Sequence, residues 1–333
     1  MEMTSSHDTI NVEALTMQAV VREQYGSPAV LRLEQVQKPT PKPNEVLIRV
    51  HAASPNAADL HLLRGQPFML RLAYGLFRPK IRVLGTAVAG RVETLGAGVT
   101  RFSKGDEVFA DLSGCGLGGF AEYACTPEGV LARRPANVSF AQAAAVPLAG
   151  VTALQALRDK GQIRAGQKVL VYGASGGVGT FALQLAKHFG AEVTASGHPA
   201  KHDFLRSLGA DHVVNHAQAL SQRYDLIIAV GGSHSLLEYR QALHRGGRCV
   251  VVGGALRQIL AAAIFGSVVS SRKQKIMGLF AQPSANDLAY LGQLLEENKI
   301  KAVLDKTYTL SQLPEAMRYL EQGHAKGKIV IEL

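Results

Sequence analysis

From Met17 to about Asn137 the chain alternates short runs of apolar and polar residues with turn-forming ones. The segments "MQAVV", "LRLEQV", "EVLIRVHAAS", "GTAVAGRVETLG", "DEVFAD" and "GFAEYACT" are five to twelve residues long and punctuated by glycine, proline or asparagine. Period-two alternation broken by such residues predicts strands, so this region is β-rich. Within it, "GAGVTRFSKGDEVFA" reads as two strands joined by a tight turn at Gly105-Asp106.

After Phe140 the period changes. "FAQAAAVPLAGVTALQALRDKG" carries alanine and leucine at helical spacing, interrupted by Pro147. Strands and helices then alternate. The strands are "KVLVYG", "AEVTAS", "HVVNH", "DLIIAVGG", "RCVVVGG" and "KIMGLF", and the clearest helices are "GTFALQLAKHFG" and "AKHDFLRSLG". Alternation with uniformly apolar strands predicts βαβ crossovers and a parallel sheet covered on both faces. A helix-strand-helix-strand tail follows, and it is expected to return to the β-rich region rather than extend a finished sheet. The fold class is therefore α/β, and the 333 residues have room for two domains.

Composition narrows the function classes. Hydrophobic residues make up 47% and charged residues 19%, a globular balance. The formal charge of +10 comes from 36 basic and 26 acidic residues. Positive charge suits a polyanionic cofactor, but the basic residues are scattered and lack the aromatic interleaving of a single-strand binder, so nucleic acid is not the expected partner. Cys115, Cys125 and Cys249 give no disulfide framework and point to a reducing compartment, the cytoplasm. The longest apolar run, Ile259 to Val269, is too short to span a bilayer. Residues 1–16 are polar, carry Glu2, Asp8 and Glu13, and read as a disordered leader rather than a targeting signal.

The chemistry centres on "VLVYGASGGVGTFALQLAKHFGAEV", a β-branched run that breaks into glycines and continues as an amphipathic helix. Gly173, Ala174, Ser175, Gly176, Gly177, Val178 and Gly179 depart from a strict G-x-G-x-x-G. The physics is intact: glycines permit a tight turn and close backbone approach to a pyrophosphate, and the helix aims its N-terminal N–H groups at that charge. At the end of the second strand, "TASGHPAKHDF", no carboxylate precedes Asp203. Ser196, His198 and Lys201 stand there instead. A hydroxyl and a cation would hold a 2′-phosphate that a carboxylate would repel, which favours NADPH over NADH.

With these pieces in view, the chain resembles the medium-chain dehydrogenase/reductase superfamily, in its zinc-free quinone oxidoreductase and enone reductase branch. The resemblance runs from Met17 to Leu333 and rests on "VLIRVHAASPNAADLHLLRG", "GTAVAGRVETLGAGVTRFSKGDEV", "GGFAEYA", "AAAVPLAGVTAL", "VLVYGASGGVGTFALQLAK", "LGADHVVN" and "GKIVI". It implies a GroES-like β-rich catalytic domain over residues 17–138 and 285–333 and a Rossmann doubly wound parallel-sheet domain over 139–284. Cofactor and substrate would share the cleft between them, and two copies would pair through an edge strand, with "KIMGLF" the candidate.

Where zinc-dependent members carry metal ligands, this chain has Asn56, Thr86, and Leu148 or Ala149, and no structural-zinc lobe. Such side chains do not make the N/S site that zinc prefers, so no metal is expected. His51 and His61 have no companion cysteines. Without a Lewis acid, hydride delivery to an already electron-poor carbon is favoured over alcohol oxidation. A quinone, or the β-carbon of an α,β-unsaturated carbonyl, fits. The resemblance places Asn56 near the nicotinamide and His61, five residues on, facing the substrate as a hydrogen-bond or proton donor. It also places Thr152 beside the nicotinamide carboxamide. Val230, Gly231, Val252, Gly253 and Gly254 would pass along the cofactor, and Lys328 would reach the cleft.

Two departures stand out. Ala87 replaces an aspartate common in relatives, removing a buried carboxylate. The segment "GQPFMLRLAYGLFRPKIRVL" is long, and Phe68, Met69, Leu72, Tyr74 and Phe77 form either an apolar lid or a satellite hydrophobic cluster. The alternative function is a catalytically weak NADPH-binding protein of crystallin or RNA-binding type.

Overall fold

The computed structural model describes residues 15–232, 234–253, 256–270 and 273–333. The leader expected over 1–16 lies outside them except for Leu15 and Thr16, and Thr16 already opens the first strand.

A ribbon of β1 (Thr16–Val21) and β2 (Arg32–Gln37) starts the chain. Then come β3 (Glu45–Ala53), α1 (Ala57–Arg64), α2 (Met69–Tyr74), β4 (Ala87–Leu95), β5 (Glu107–Asp111), β6 (Tyr123–Pro127) and β7 (Leu131–Arg133). Helices α3 (Phe140–Ala144) and α4 (Pro147–Gln155) follow. Pro147 sits in the first turn of α4, where its missing N–H costs nothing, so it separates two helices rather than kinking one.

The alternating half runs β8 (Lys168–Tyr172), α5 (Gly177–His188), β9 (Glu192–Ser196), α6 (His202–Ser207), β10 (His212–Val214), β11 (Tyr224–Val230), α7 (Leu236–Gln241), β12 (Leu243–Val252), α8 (Leu256–Val269) and β13 (Lys275–Gly278). These strands form one parallel six-stranded sheet in the order β10-β9-β8-β11-β12-β13. That is the doubly wound order, with the chain reversing direction across the sheet between β8 and β11. The tail supplies α9 (Ala285–Glu296), β14 (Leu304–Thr309), α10 (Leu313–Glu321) and β15 (Lys328–Glu332). It returns as expected: β15 pairs antiparallel with β3, completing a seven-stranded sheet with β14, β4, β5, β6 and β7.

One expectation fails. Residues 96–106 hold no strand; only β5 forms from "GAGVTRFSKGDEVFA". The backbone donors of Thr100 and Arg101 go to the Glu128 carboxylate instead of a ladder. Gly96 and Gly98 let this stretch pass tightly against Lys42, Pro43 and Asn44.

Each sheet has its own core. Val169, Val171, Phe181, Leu185, Val193 and Ile228 pack the parallel sheet against α4, α5 and α9. Ile48, Val88, Val108, Leu131, Met317 and Ile331 fill the other. The cleft between the two cores is where the site lies.

Candidate active site

The parallel sheet brings the glycine turn to the C-terminal end of β8, the standard ligand position in such sheets. The tail meets it there. Gly327 N donates to Ser175 O at 2.9 Å, and Gly176 and Gly327 form an isolated bridge. A Cβ on Gly177 would sit 2.7 Å from the Lys328 side chain. Between these elements lies a cavity of about 560 Å³. Its walls include Asn56, His61, Thr152, Gly177, Val178, Val230, Gly253 and Lys328 among the residues singled out from sequence.

The turn needs its glycines. Gly173 has φ +70°, and a Cβ there would lie 2.3 Å from Val230 O. A Cβ on Gly179 would lie 2.2 Å from Gly173 O. Gly176 caps α5 in extended conformation with no side-chain cap, so the first-turn N–H groups face the cleft without an intrahelical partner. This cradle fits a dinucleotide pyrophosphate. Ala174 and Val252 contribute backbone only: their side chains are core, Ala174 N donates to Ser196 O, and Val252 O accepts from Gly231 N. Gly254 lies outside the described residues.

At the end of β9, Ser196 is buried and its Oγ lies 2.8 Å from His216 Nδ1. The His216 ring packs on Tyr172 with centroids 4.9 Å apart. Burial holds His216 below the usual histidine range, and the nearby His198, His234 and Lys201 push the same way. His198 Nδ1 accepts from Ala200 N. Lys201 Nζ donates to Ala325 O at 3.1 Å, and burial lowers its pKa, with Asp305 opposing and Lys326 adding to the effect. Ser196, His198 and Lys201 thus share one electropositive corner with His216, which the sequence did not single out.

The polar floor of the cavity is a directed chain of hydrogen bonds. Lys328 Nζ donates to Asn56 Oδ1 at 2.5 Å and to Pro55 O at 3.2 Å. Asn56 Nδ2 donates to Ser54 O at 2.8 Å and to Thr86 Oγ1 at 2.9 Å. Thr86 Oγ1 donates to Asp59 Oδ2 at 3.0 Å, and Asn56 N and Gly85 N donate to the same carboxylate. Asn56 is the N-cap of α1 and Asp59 its third residue, so a capping box builds half of the network. Burial raises the Asp59 pKa to about 6, against the donors from Asn56, Thr86 and Gly85 and the charge of Lys328. Burial lowers the Lys328 pKa to about 8, against the charge of Asp59. Asp59, like His216, was not singled out from the sequence. His51 is elsewhere, stacked on Phe140 at 4.5 Å.

Comparison with known proteins gives the same outline. Residues 42–136 match the alcohol dehydrogenase GroES-like domain, and residues 208–331 match a zinc-binding dehydrogenase domain. The chain is 35% identical over 332 residues to a chloroplast envelope quinone oxidoreductase homolog of Arabidopsis thaliana, covering 95% of this chain and 98% of that one. The chain belongs to the medium-chain dehydrogenase/reductase superfamily. Another relative, at 34% identity, is an NADPH-dependent alkenal/one oxidoreductase, chloroplastic, of the same plant, with 95% of this chain and 79% of that one covered. Among solved structures, the quinone oxidoreductase from Coxiella burnetii superposes with a TM-score of 0.87 at 32% identity, covering 96% of this chain and 99% of that one. The protein is an oxidoreductase with a nicotinamide cofactor site.

For a medium-chain dehydrogenase/reductase, the donor set in this cleft is distinctive. Asn56, Thr86 and the Leu148–Ala149 wall offer an amide, a hydroxyl and hydrocarbon, which do not fit zinc. Among the described residues no three His, Cys, Asp or Glu side chains gather to hold a metal. Ala87 is answered from the neighbouring strand: its cross-strand partner is Asp111, a buried carboxyl on the cavity wall whose pKa burial raises. The satellite-cluster alternative for the 65–84 segment holds for Tyr74, Ile81 and Val83, which pack against the core of the β-rich sheet, and fails for Phe68, Met69, Leu72 and Phe77. Phe68, Leu72 and Phe77 are exposed and off the cavity wall, while α2 turns Met69, Leu70, Ala73 and Tyr74 toward the cavity, Met69 staying largely exposed at its mouth.

Proposed function

We propose that the protein is an NADPH-dependent, zinc-independent reductase of quinones and α,β-unsaturated carbonyls. The observation that carries this reading is the Lys328 ammonium, held by the Asn56 amide oxygen beside a glycine cradle and opening onto a largely apolar cavity. The relatives named quinone oxidoreductase and alkenal/one oxidoreductase support it.

The bound nicotinamide supplies the hydride. The protein does the rest by position and electrostatics. Gly173, Ser175, Gly176, Gly177, Val178 and Gly179 hold the pyrophosphate, and Ser196, His198 and Lys201, joined by His216, take the 2′-phosphate. Thr152, Val230, Gly231, Val252 and Gly253 flank the rest of the cofactor. As hydride reaches the electron-poor carbon, negative charge develops on the acceptor's carbonyl oxygen. Lys328 Nζ has two donors engaged, with Asn56 and Pro55, and a third to offer that oxygen. Asn56 keeps the ammonium aimed, and Asp59 keeps Asn56 aimed through Thr86. His61 on α1, on the cavity wall, delivers the proton that an enone requires.

The domains divide in this reading at residues 139 and 285. The partner is a second copy, paired through edge strand β13. Exposed Ile264, Phe265, Val268 and Phe280 beside that edge support it. The three free cysteines support a reducing, cytoplasmic setting. The relatives' names place several of them in chloroplasts or mitochondria, so localisation of the tagged full chain decides that point. The reaction is tested with cyclohexenone and NADPH deuterated at the transferable position. Deuterium on the β-carbon of the ketone product is expected; deuterated cyclohexenol would mean carbonyl reduction and refute the proposal.

A further inference from the structure

The segment from Gln66 to Lys80 has two faces. Its inner face, Pro67, Leu70, Ala73 and Tyr74, lines the cavity. Its outer face is apolar and open to solvent: Phe68 is 61% exposed, Leu72 66% and Phe77 88%, with Leu76 beside them. Monomeric proteins rarely leave such a cluster bare without use.

The charge around it has one sign. No Asp or Glu occurs between Asp59 and Glu93, while Arg64, Arg71, Arg78, Lys80, Arg82 and Arg91 do. The nearby acids are already engaged: Glu321 pairs with Arg64, and Glu23 and Glu34 pair with Arg82. Arg71 lies over the Tyr25 ring and donates to Gly65 O. Arg78 and Lys80 are exposed, and neither is in an ion pair among the described residues.

We propose that this outer face docks on an anionic lipid bilayer, seating the mouth of the cavity at the membrane surface. Phe68, Leu72 and Phe77 enter the boundary between headgroups and acyl chains, and Arg78 and Lys80 meet lipid phosphates. Closure of the segment as a lid would bury its inner face and leave the outer one bare. Isologous pairing of two copies here would set Arg78 and Lys80 against their own counterparts. No described helix is long and apolar enough to cross a membrane, so the contact is peripheral. Resting on the reductase reading, the consequence is an acceptor class: bilayer-soluble quinones or lipid-derived enals entering beside Leu70 and Tyr74.

The chain contains no tryptophan, so Phe77→Trp is a single fluorescent reporter in the full-length protein. Phosphatidylcholine vesicles with and without phosphatidylglycerol are the probe. Expected are a blue shift and co-flotation with the phosphatidylglycerol vesicles, both weakened by salt. Phe68→Ser with Phe77→Ser lowers vesicle binding at least about tenfold and leaves turnover of a water-soluble enone unchanged. The proposal is overturned by no flotation with either vesicle, by full binding in the double-serine variant, or by a blue shift that follows protein concentration without lipid, which would assign the face to a second copy. Vesicle binding is read without cofactor or acceptor, so its failure leaves the reductase reading standing, and the converse holds.

Discussion

Lys328→Met is the substitution that separates chemistry from architecture. Methionine keeps an unbranched stem against Gly177 and removes the ammonium that bonds Asn56 and faces the cavity. Losing one preorganised donor to a developing oxyanion costs roughly a hundred- to a thousandfold in kcat, or about 3–4 kcal/mol. Because the Lys328 pKa is lowered to about 8, the wild-type rate falls above that pH, toward tenfold per unit. The methionine variant lacks that alkaline limb. Stability moves the other way. A folded pKa near 8 against 10.5 means that the unfolded chain binds more protons between those values, so wild-type stability rises with pH across that window. Below it the buried cation costs up to about 3 kcal/mol. In the variant, Asp59 keeps its donors from Asn56, Gly85 and Thr86. The variant loses the Lys328 charge that favours the Asp59 carboxylate and the donor to Asn56 Oδ1 and Pro55 O. These losses oppose the relief of the buried cation, so Lys328→Met unfolds close to the wild-type temperature at neutral pH while losing turnover. The assays are pH–rate profiles of kcat and kcat/KM and thermal unfolding of both proteins. An alkaline limb that persists in the variant, or a loss confined to NADPH affinity with kcat intact, refutes the role given to Lys328.

Other outcomes follow from the same geometry. Lys201→Ala weakens NADPH binding about ten- to a hundredfold and leaves NADH binding nearly unchanged, by fluorescence titration; equal losses would sink the 2′-phosphate assignment. Gly179→Ala drives a Cβ against Gly173 O and, by calorimetry and NADPH titration, loses about 1–3 kcal/mol of stability together with cofactor binding. Asp59→Asn lowers kcat about tenfold at unchanged NADPH affinity. Asp59 has a folded pKa of about 6 against 3.8, so wild-type stability falls as pH climbs between those values, and the variant lacks that fall. Chelation leaves activity unchanged, and metal analysis of the purified protein finds no stoichiometric zinc.

Much of this was legible in the chain because local rules and the global fold agree. The glycine turn announces itself since only glycine fits at Gly173 and Gly179. The parallel sheet shows in the apolar strands between helices. The tail's return follows from having no place left in the first sheet. The misses were tertiary. Asp59 looks like an ordinary helix residue; only its spacing from Asn56, a capping box, hints at the buried network, and Thr86 joins it from the turn just before β4. His216 reaches Ser196 because β10 pairs with β9 in a register that sequence does not display. Residues 96–106 look like a strand, yet Thr100 and Arg101 give their backbone donors to the Glu128 carboxylate. The outward turn of Phe68, Leu72 and Phe77 depends on which face of a six-residue helix meets the cavity, and an apolar composition alone cannot say.

What the protein reduces decides whether the Lys328–Asn56 site works as a reductase. The decisive measurement is the loss of NADPH absorbance with benzoquinone, cyclohexenone and trans-hexenal as acceptors, with NADH and a simple alcohol run in reverse as controls. Turnover of a quinone or an enone, faster with NADPH than with NADH and without alcohol oxidation, is the predicted result. Tight NADPH binding with no acceptor reduced would make this a binding protein, and alcohol oxidation would contradict the zinc-free mechanism built on Lys328 and Asn56.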